Sequence, residues 1–408
     1  MSRPIFHTKI HLYLAVLIAF CLPFGRLTPI FIALMLLNWI IEGDFKNKFI
    51  HVFNNKLALL FIGFYGMHLI GMLYTENLAV GEFDLQVKFS LLLFPIVIAS
   101  RPFNSKEKNT MFLSLTFAGI ISSMILLGRA IYHFIYLSDN CFFYQAFSFF
   151  LHPSYLSMYL CTAITWMLVE ISQNNFANKW FSNGIAIALI LFFTFINILL
   201  SSKMGLISTI FILVGFLIYY IIRHKKYTLG FSGIFLIAIL IYSIFNYVPA
   251  VRNRINNAIT ALITTSVNKT DAESTAVRLL IWKAANQVIS ENLLLGTGTG
   301  DSKDELMKEY QKQGMTGAIE HKLNTHNEFY QIFVSLGLIG FIVFMLSLFI
   351  PLAFAFKTSN IVYALFLLII MLNFIPESML ESEAGVMFYA FFNSLLCFSN
   401  RNSLINNS

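Results

Sequence analysis

The chain has 408 residues, of which 58% are hydrophobic and only 12% charged. A soluble domain carries about a quarter charged residues, so these proportions exclude a water-soluble globular class and imply a polytopic membrane protein. The net charge of +7 is spread over short loops instead of forming one basic patch with interleaved aromatics, which excludes nucleic acid as a partner.

Crossing a hydrocarbon core about 30 Å thick takes roughly 17 to 25 mostly apolar residues, and only a helix satisfies its own backbone there. In chain order the apolar runs are 9–24, 27–41, 57–74, 87–100, 110–136, 150–171, 181–200, 204–222, 227–248, 329–353, 360–375 and 385–398. The expected fold is an all-α polytopic membrane protein with about twelve transmembrane helices. The runs 27–41 and 87–100 are short and predict tilted or re-entrant pieces. Four segments follow: an N-terminal bundle of about nine spans over 1–250, a polar loop over 251–328, a C-terminal bundle of about three spans over 329–400, and a tail over 401–408. No internal repeat is evident, and nothing at the N-terminus reads as a cleavable signal.

Cytoplasmic loops accumulate Lys and Arg, whereas short translocated loops do not. With both termini inside, Lys46, Lys48, Lys56, Arg101, Lys106, Lys108, Lys179, Arg223, Lys225, Lys226, Lys357 and Arg401 all fall on the cytoplasmic side. The short outer loops keep only Arg26, Lys88, Arg129 and Lys203 and carry the acids Glu76, Glu82, Asp84, Asp139, Glu377, Glu381 and Glu383. The polar loop 251–328 is therefore external. Three cysteines lie in apolar runs and Cys141 lies in an external loop without an obvious partner, so neither a disulfide framework nor a zinc spacing follows.

Within the loop, residues 275–291 place Val277, Leu280, Ile281, Ala284 and Val288 on one helical face, with Ser274 or Thr275 as N-cap. The next stretch holds Gly296, Gly298 and Gly300. Its amides are able either to approach a phosphate or simply to form turns, since no strand–loop–helix context surrounds them. A second short charged helix runs from Asp301 to about Gln313 and breaks near Gly314 and Gly317. Arg278, one turn into the amphipathic helix, either snorkels among lipid head groups or grips a phosphate with its planar fork. His326 opens the long run 329–353 after Asn324 and Thr325, either of which is placed to cap that helix. The positive end of a helix dipole disfavours a charged imidazole, which suits a general base, and a hydrogen-bonded interfacial histidine is the structural alternative.

Arg278-(x)3-Trp282, Leu294-Leu295-Gly296-Thr297-Gly298, His326-Asn327-Glu328-Phe329-Tyr330 and Gly337-Leu338-Ile339-Gly340, in that order, resemble the external loop and following helix of the O-antigen ligase and polymerase superfamily. His152-Pro153-Ser154-Tyr155, Ser201-Ser202-Lys203-Met204-Gly205 and Pro376-Glu377-Ser378 fit the same pattern, so the likeness covers about the C-terminal two-thirds of the chain. The resemblance implies a glycosyltransferase in the bacterial inner membrane that takes a glycan from undecaprenyl diphosphate outside that membrane, without cofactor or metal. The acceptor it implies is the hydroxyl of lipid A–core, or a growing glycan in a polymerase.

The same resemblance implies His326 as the base and Arg278 as a diphosphate ligand. Lys203 stands where an arginine is common in the family; it keeps the charge without the bidentate fork. Asn327, His152, Tyr155 and Glu377 are supporting candidates, Glu377 as a partner for one of the cations. A protein O-oligosaccharyltransferase would use the same machinery on another acceptor. A lipid-linked glycan flippase, from a different class, would instead place polar groups inside the spans, where the runs are nearly free of charge.

Overall fold

A computed structural model of the chain describes residues 3–173, 181–263 and 275–399. Ser274, Lys179, Arg401 and the tail 401–408, to which the sequence assigned a helix cap, two cytoplasmic charges and a terminal segment, lie outside the described residues. The described residues are all-helical, with no strand. Among the described residues nine helices are long and apolar enough to cross a membrane, or ten if Thr28–Glu42 and Phe45–Phe53, sharply bent at the break between them, form one span. Two shorter apolar helices, Ile361–Phe374 and Glu383–Phe398, complete the set. Each of the twelve apolar runs falls on one of these helices. The chain is a polytopic membrane protein.

The run expected to be re-entrant at 87–100 belongs to a longer candidate span, Leu78–Ser100, of 23 residues. Its first half escaped the hydropathy reading because it carries Glu82, Asp84 and Lys88. Phe45–Phe53 begins after Gly43 (φ 75°) and Asp44 (φ 57°), whose left-handed backbone redirects the chain.

Two compact units emerge from the packing. One comprises residues 1–38, 106–255 and 360–373. At its centre is Pro153–Gln173, 83% buried over its span window, packed on Asn183–Leu200 and Lys203–His224. Buried polar side chains bind each other there: Ser157 Oγ donates to Asn197 Oδ1 (2.8 Å), and Asn197 Nδ2 to Thr209 Oγ1 (3.0 Å). Gly205 lets the third helix approach, because a Cβ at that position would meet Ser157. Phe112 and Trp166 stack at 5.7 Å and 9°.

The other unit comprises residues 39–105, 256–359 and 374–408. Here Lys56–Gly71 packs on Ser90–Ser100 and on Glu328–Lys357, and Glu383–Phe398 packs on Ser90–Ser100. The amphipathic helix forms as its periodicity dictates, over Thr275–Glu291, burying Val277, Ile281, Ala284, Ala285, Val288 and Ile289. That face closes a small core with Leu306 and Tyr310 of the helix Ser302–Gln313, with Met315 and Ala318, and with Val334. The charged helix stops at Gly314 (φ 66°), which caps it in the left-handed region.

The glycine-rich stretch is a backbone junction. The N–H groups of Thr297 and Gly298 donate to the carbonyls of Val334 (2.9 Å) and Ser335 (3.0 Å), and Leu338 N–H donates to Leu293 O (2.8 Å). This pairing exists because the helix Glu328–Lys357 is broken at Gly337 (φ 62°, ψ −165°), freeing its carbonyls and amides. A Cβ at Gly296 would strike the backbone of Gly337, and one at Gly337 the backbone of Gly296. Of the two earlier alternatives the turn is the one realised, because the amides of Thr297 and Gly298 are already committed to protein carbonyls. Gly296→Ala, combining φ 73° with that clash, costs at least about 1–3 kcal/mol. The expected result is a clearly lowered thermal unfolding midpoint in detergent; an unchanged midpoint would show that the junction yields.

The spans are less free of charge than the sequence suggested. Lys88, 1% exposed, forms ion pairs with Asp84 and with Glu381 (2.7 Å), and His68 Nδ1 lies 3.8 Å from Asp84. Glu328, fully buried, accepts the Leu380 N–H at 2.7 Å. Charges are tolerated at such depth when they are paired, as Lys88 is with Asp84 and Glu381.

Candidate functional site

Arg278 and Trp282 stand four residues apart and so share one face of the helix Thr275–Glu291. Trp282 Nε1 donates to the carbonyl of Thr325 (3.0 Å), and its ring stacks on Tyr330 at 5.7 Å and 13°. The helix that carries Arg278 is thereby fastened to the turn that carries His326.

That turn is heavily constrained. Asn327, and neither Asn324 nor Thr325, is the N-cap of Glu328–Lys357, accepting the Tyr330 N–H at 3.1 Å. Its own N–H donates to Ser378 Oγ (3.1 Å), and the Thr325 hydroxyl lies 3.2 Å from the same oxygen. Thr325 Oγ also lies 2.8 Å from the Asn327 carbonyl and 3.1 Å from Gln331 Oε1. His326, between these anchors, adopts φ 46°, with its N–H bonded to Asn324 Oδ1 (3.0 Å). For a residue other than glycine this backbone costs roughly 1–2 kcal/mol, a strain that the Thr325, Asn327 and Ser378 bonds offset.

Glu377 lies between the two candidate groups. Arg278 Nη2 donates to its Oε1 at 3.1 Å, and His326 Nδ1 is 3.8 Å from its Oε2. Side-chain exposures of 26% for Arg278, 26% for His326 and 19% for Glu377 leave all three reachable from outside. Guanidinium, carboxylate and imidazole are thus aligned, and the carboxylate faces Nδ1. A carboxylate there stabilises an imidazolium once the other nitrogen has accepted a proton, which is the orienting logic of a base–acid pair. Arg278 carries five N–H donors in a planar fork, and Glu377 engages Nη2.

Of the residues singled out in the sequence, Arg278, His326, Asn327 and Glu377 come together in one unit. Lys203, His152 and Tyr155 belong to the other unit. Lys203 begins the helix Lys203–His224, whose N-cap is Ser202 and whose preceding residue, Ser201, has φ 46°. Ser154 Oγ and Ser202 Oγ lie 3.1 Å apart, joining the His152 and Lys203 turns. The His152 ring contacts those of Tyr144 (6.1 Å) and Tyr155 (6.0 Å) edge-on. On the same helix, Leu206, Ile210 and Leu213 line an apolar cavity of about 570 Å³ shared with Ile237, Ile241 and Phe245.

Sequence reasoning missed Ser378 and Thr325 as anchors of the histidine turn, and the buried group around Lys88. An alternating hydroxyl and amide run at Asn324, Thr325 and Asn327 was the available signal for the first. The second had only the i,i+4 spacing of Asp84 and Lys88 to announce it.

No curated protein matches the chain. Residues 186–345 match the family model described as O-Antigen ligase, a segment that holds Lys203, Arg278, His326 and both halves of the Gly296–Gly337 junction. Over that segment, 160 of its 408 residues, the chain is similar to the O-antigen ligase family.

Proposed function

We propose that the chain is a glycosyltransferase that moves a glycan from undecaprenyl diphosphate to an acceptor hydroxyl at the periplasmic face of the inner membrane, as an O-antigen ligase acting on lipid A–core. The observation that carries this reading is that Arg278 and His326, 48 positions apart in the sequence, both meet Glu377. Had they faced unconnected surfaces, no single substrate would reach both.

In the proposed reaction His326 takes the proton of the acceptor hydroxyl, and the oxygen attacks the anomeric carbon. The bond from that carbon to the diphosphate breaks, and the electron pair leaves with the diphosphate. Arg278 stabilises the charge that develops there, which is where preorganised electrostatics contribute most. Glu377 is a positioning residue: it holds the imidazole and stabilises it once protonated. Attack opposite the leaving group inverts the anomeric centre, and no metal is required. Lys203 is proposed as a diphosphate contact on its motif position and because its helix lines the apolar cavity, a suitable place for prenyl carbons. Asn327, His152 and Tyr155 are proposed to support the turn and the acceptor.

The residues around His326 do not distinguish acceptors, so the test reads the product. In a strain lacking the gene, lipopolysaccharide with unextended core, together with accumulating lipid-linked polymer, is the expected result. Core bearing a single repeat would make the protein a polymerase and overturn the ligase reading, and unchanged banding would overturn both.

A further inference from the structure

The external turn that follows the helix Ser105–Tyr136 gathers three metal-ligand side chains that the glycosyl-transfer site does not use. The chain reverses at Ser138 (φ 51°), and Asp139 N–H returns to the carbonyl of His133 at 3.2 Å. That reversal puts Asp139 and Cys141 beside His133. Cys141 Sγ lies 3.0 Å from Asp139 Oδ2 and 3.6 Å from His133 Nδ1, and that nitrogen lies 3.4 Å from the same carboxylate oxygen. The cysteine that had no evident partner in the sequence therefore has two.

These separations are close to those of a tetrahedral zinc site. Bonds of about 2.3 Å to sulfur, 2.0 Å to imidazole nitrogen and 2.0 Å to carboxylate oxygen put neighbouring ligand atoms about 3.5 Å apart for S···N and S···O and about 3.3 Å apart for N···O. Two of the three distances agree to about 0.1 Å, and the third requires the thiol to draw back from the carboxylate by about 0.5 Å. Losing the thiol proton, which now serves the hydrogen bond to Asp139, would release that contact. The Asp139 carboxyl is held below the usual carboxylate range by hydrogen bonds from Cys141 and His133, and the nearby Arg129 adds to this. Arg129 opposes a cation, but it donates to Ala146 O (2.7 Å) and lies over the Phe149 ring (4.8 Å).

We propose that His133, Asp139 and Cys141 form a binding site for a zinc ion, with the fourth position open to water. Binding displaces the thiol proton to solvent and leaves thiolate and carboxylate to balance the two positive charges. A mixed imidazole, thiolate and carboxylate set suits zinc better than magnesium or calcium. Its effect is to fasten residues 133–141. The adjoining Phe142 packs edge-on against Phe134 at 5.9 Å, and Tyr144 follows, lying under Arg254 at 3.5 Å and against His152. Zinc would thus order the loop that leads to His152.

The test uses the full-length protein in detergent, stripped with a chelator and titrated with zinc against a chromophoric competitor. One equivalent is expected to bind, and Cys141→Ser, His133→Ala and Asp139→Asn each to weaken it by about 100-fold or more. Cobalt should give a thiolate-to-metal charge-transfer band that Cys141→Ser abolishes. A second readout follows the label lost in Cys141→Ser, since all four cysteines are buried and Cys141 is 5% exposed: zinc should protect Cys141 from maleimide and a chelator should restore labelling. Absence of stoichiometric binding, binding indifferent to all three substitutions, or labelling of Cys141 unaffected by zinc would each overturn the proposal.

Discussion

Replacing His326 with alanine is expected to lower glycan transfer by about 10²–10⁴-fold, the usual cost of losing a positioned base. The measurement is turnover of a lipid-linked glycan by protein reconstituted in vesicles with acceptor. The imidazole meets Glu377, but the turn is held by Thr325, Asn327 and Ser378, so the variant should keep its elution volume and helix content. His326→Gln should be no better, since an amide cannot accept the proton. Wild-type turnover in a well-folded His326→Ala protein would remove the base assignment.

Arg278→Ala is expected to cost about 10²–10³-fold, comparable to losing a donor aimed at developing negative charge. Arg278→Lys should recover only part of this, because the ammonium keeps the charge but loses the planar fork. The pairing with Glu377 complicates the single substitution, since it frees a carboxylate beside the site. A double-mutant cycle with Glu377→Gln separates the two effects. If Arg278 serves only to restrain Glu377, the double variant is no less active than Glu377→Gln alone. If Arg278 binds the donor diphosphate, the double variant stays at or below the Arg278→Ala level.

The membrane class and nearly all the helices were legible because hydrocarbon leaves the backbone no alternative to helix. The amphipathic helix Thr275–Glu291 was legible for a second reason: its apolar spacing matches 3.6 residues per turn and it ends where Asn292 and the glycines begin. Arg278, His326 and Glu377 could be named from the sequence, but their convergence depends on the Trp282–Thr325 bond and on Ser378. Side chains with no distinctive spacing make those long-range contacts. The glycines were ambiguous for the opposite reason. Gly296 and Gly337 matter as a pair 41 positions apart, and either alone looks like an ordinary turn.

The reading of unbroken apolar runs failed most clearly at Leu78–Ser100, where Glu82 and Asp84 cut short a run whose average hydropathy still passes for a span. Lys88 balances Asp84 from its own helix and Glu381 from a segment made almost three hundred residues later. Lys88 and Asp84 thus form a balanced pair within one helix, and Glu381 adds a second carboxylate to the same ammonium; breaking such a buried pair costs on the order of 3–5 kcal/mol. Two segments far apart in the sequence are thus tied through one ammonium. The Asp84–Lys88 pair belongs to one helix alone, whereas the Glu381 contact fixes the segment before the helix Glu383–Phe398 to it by charge.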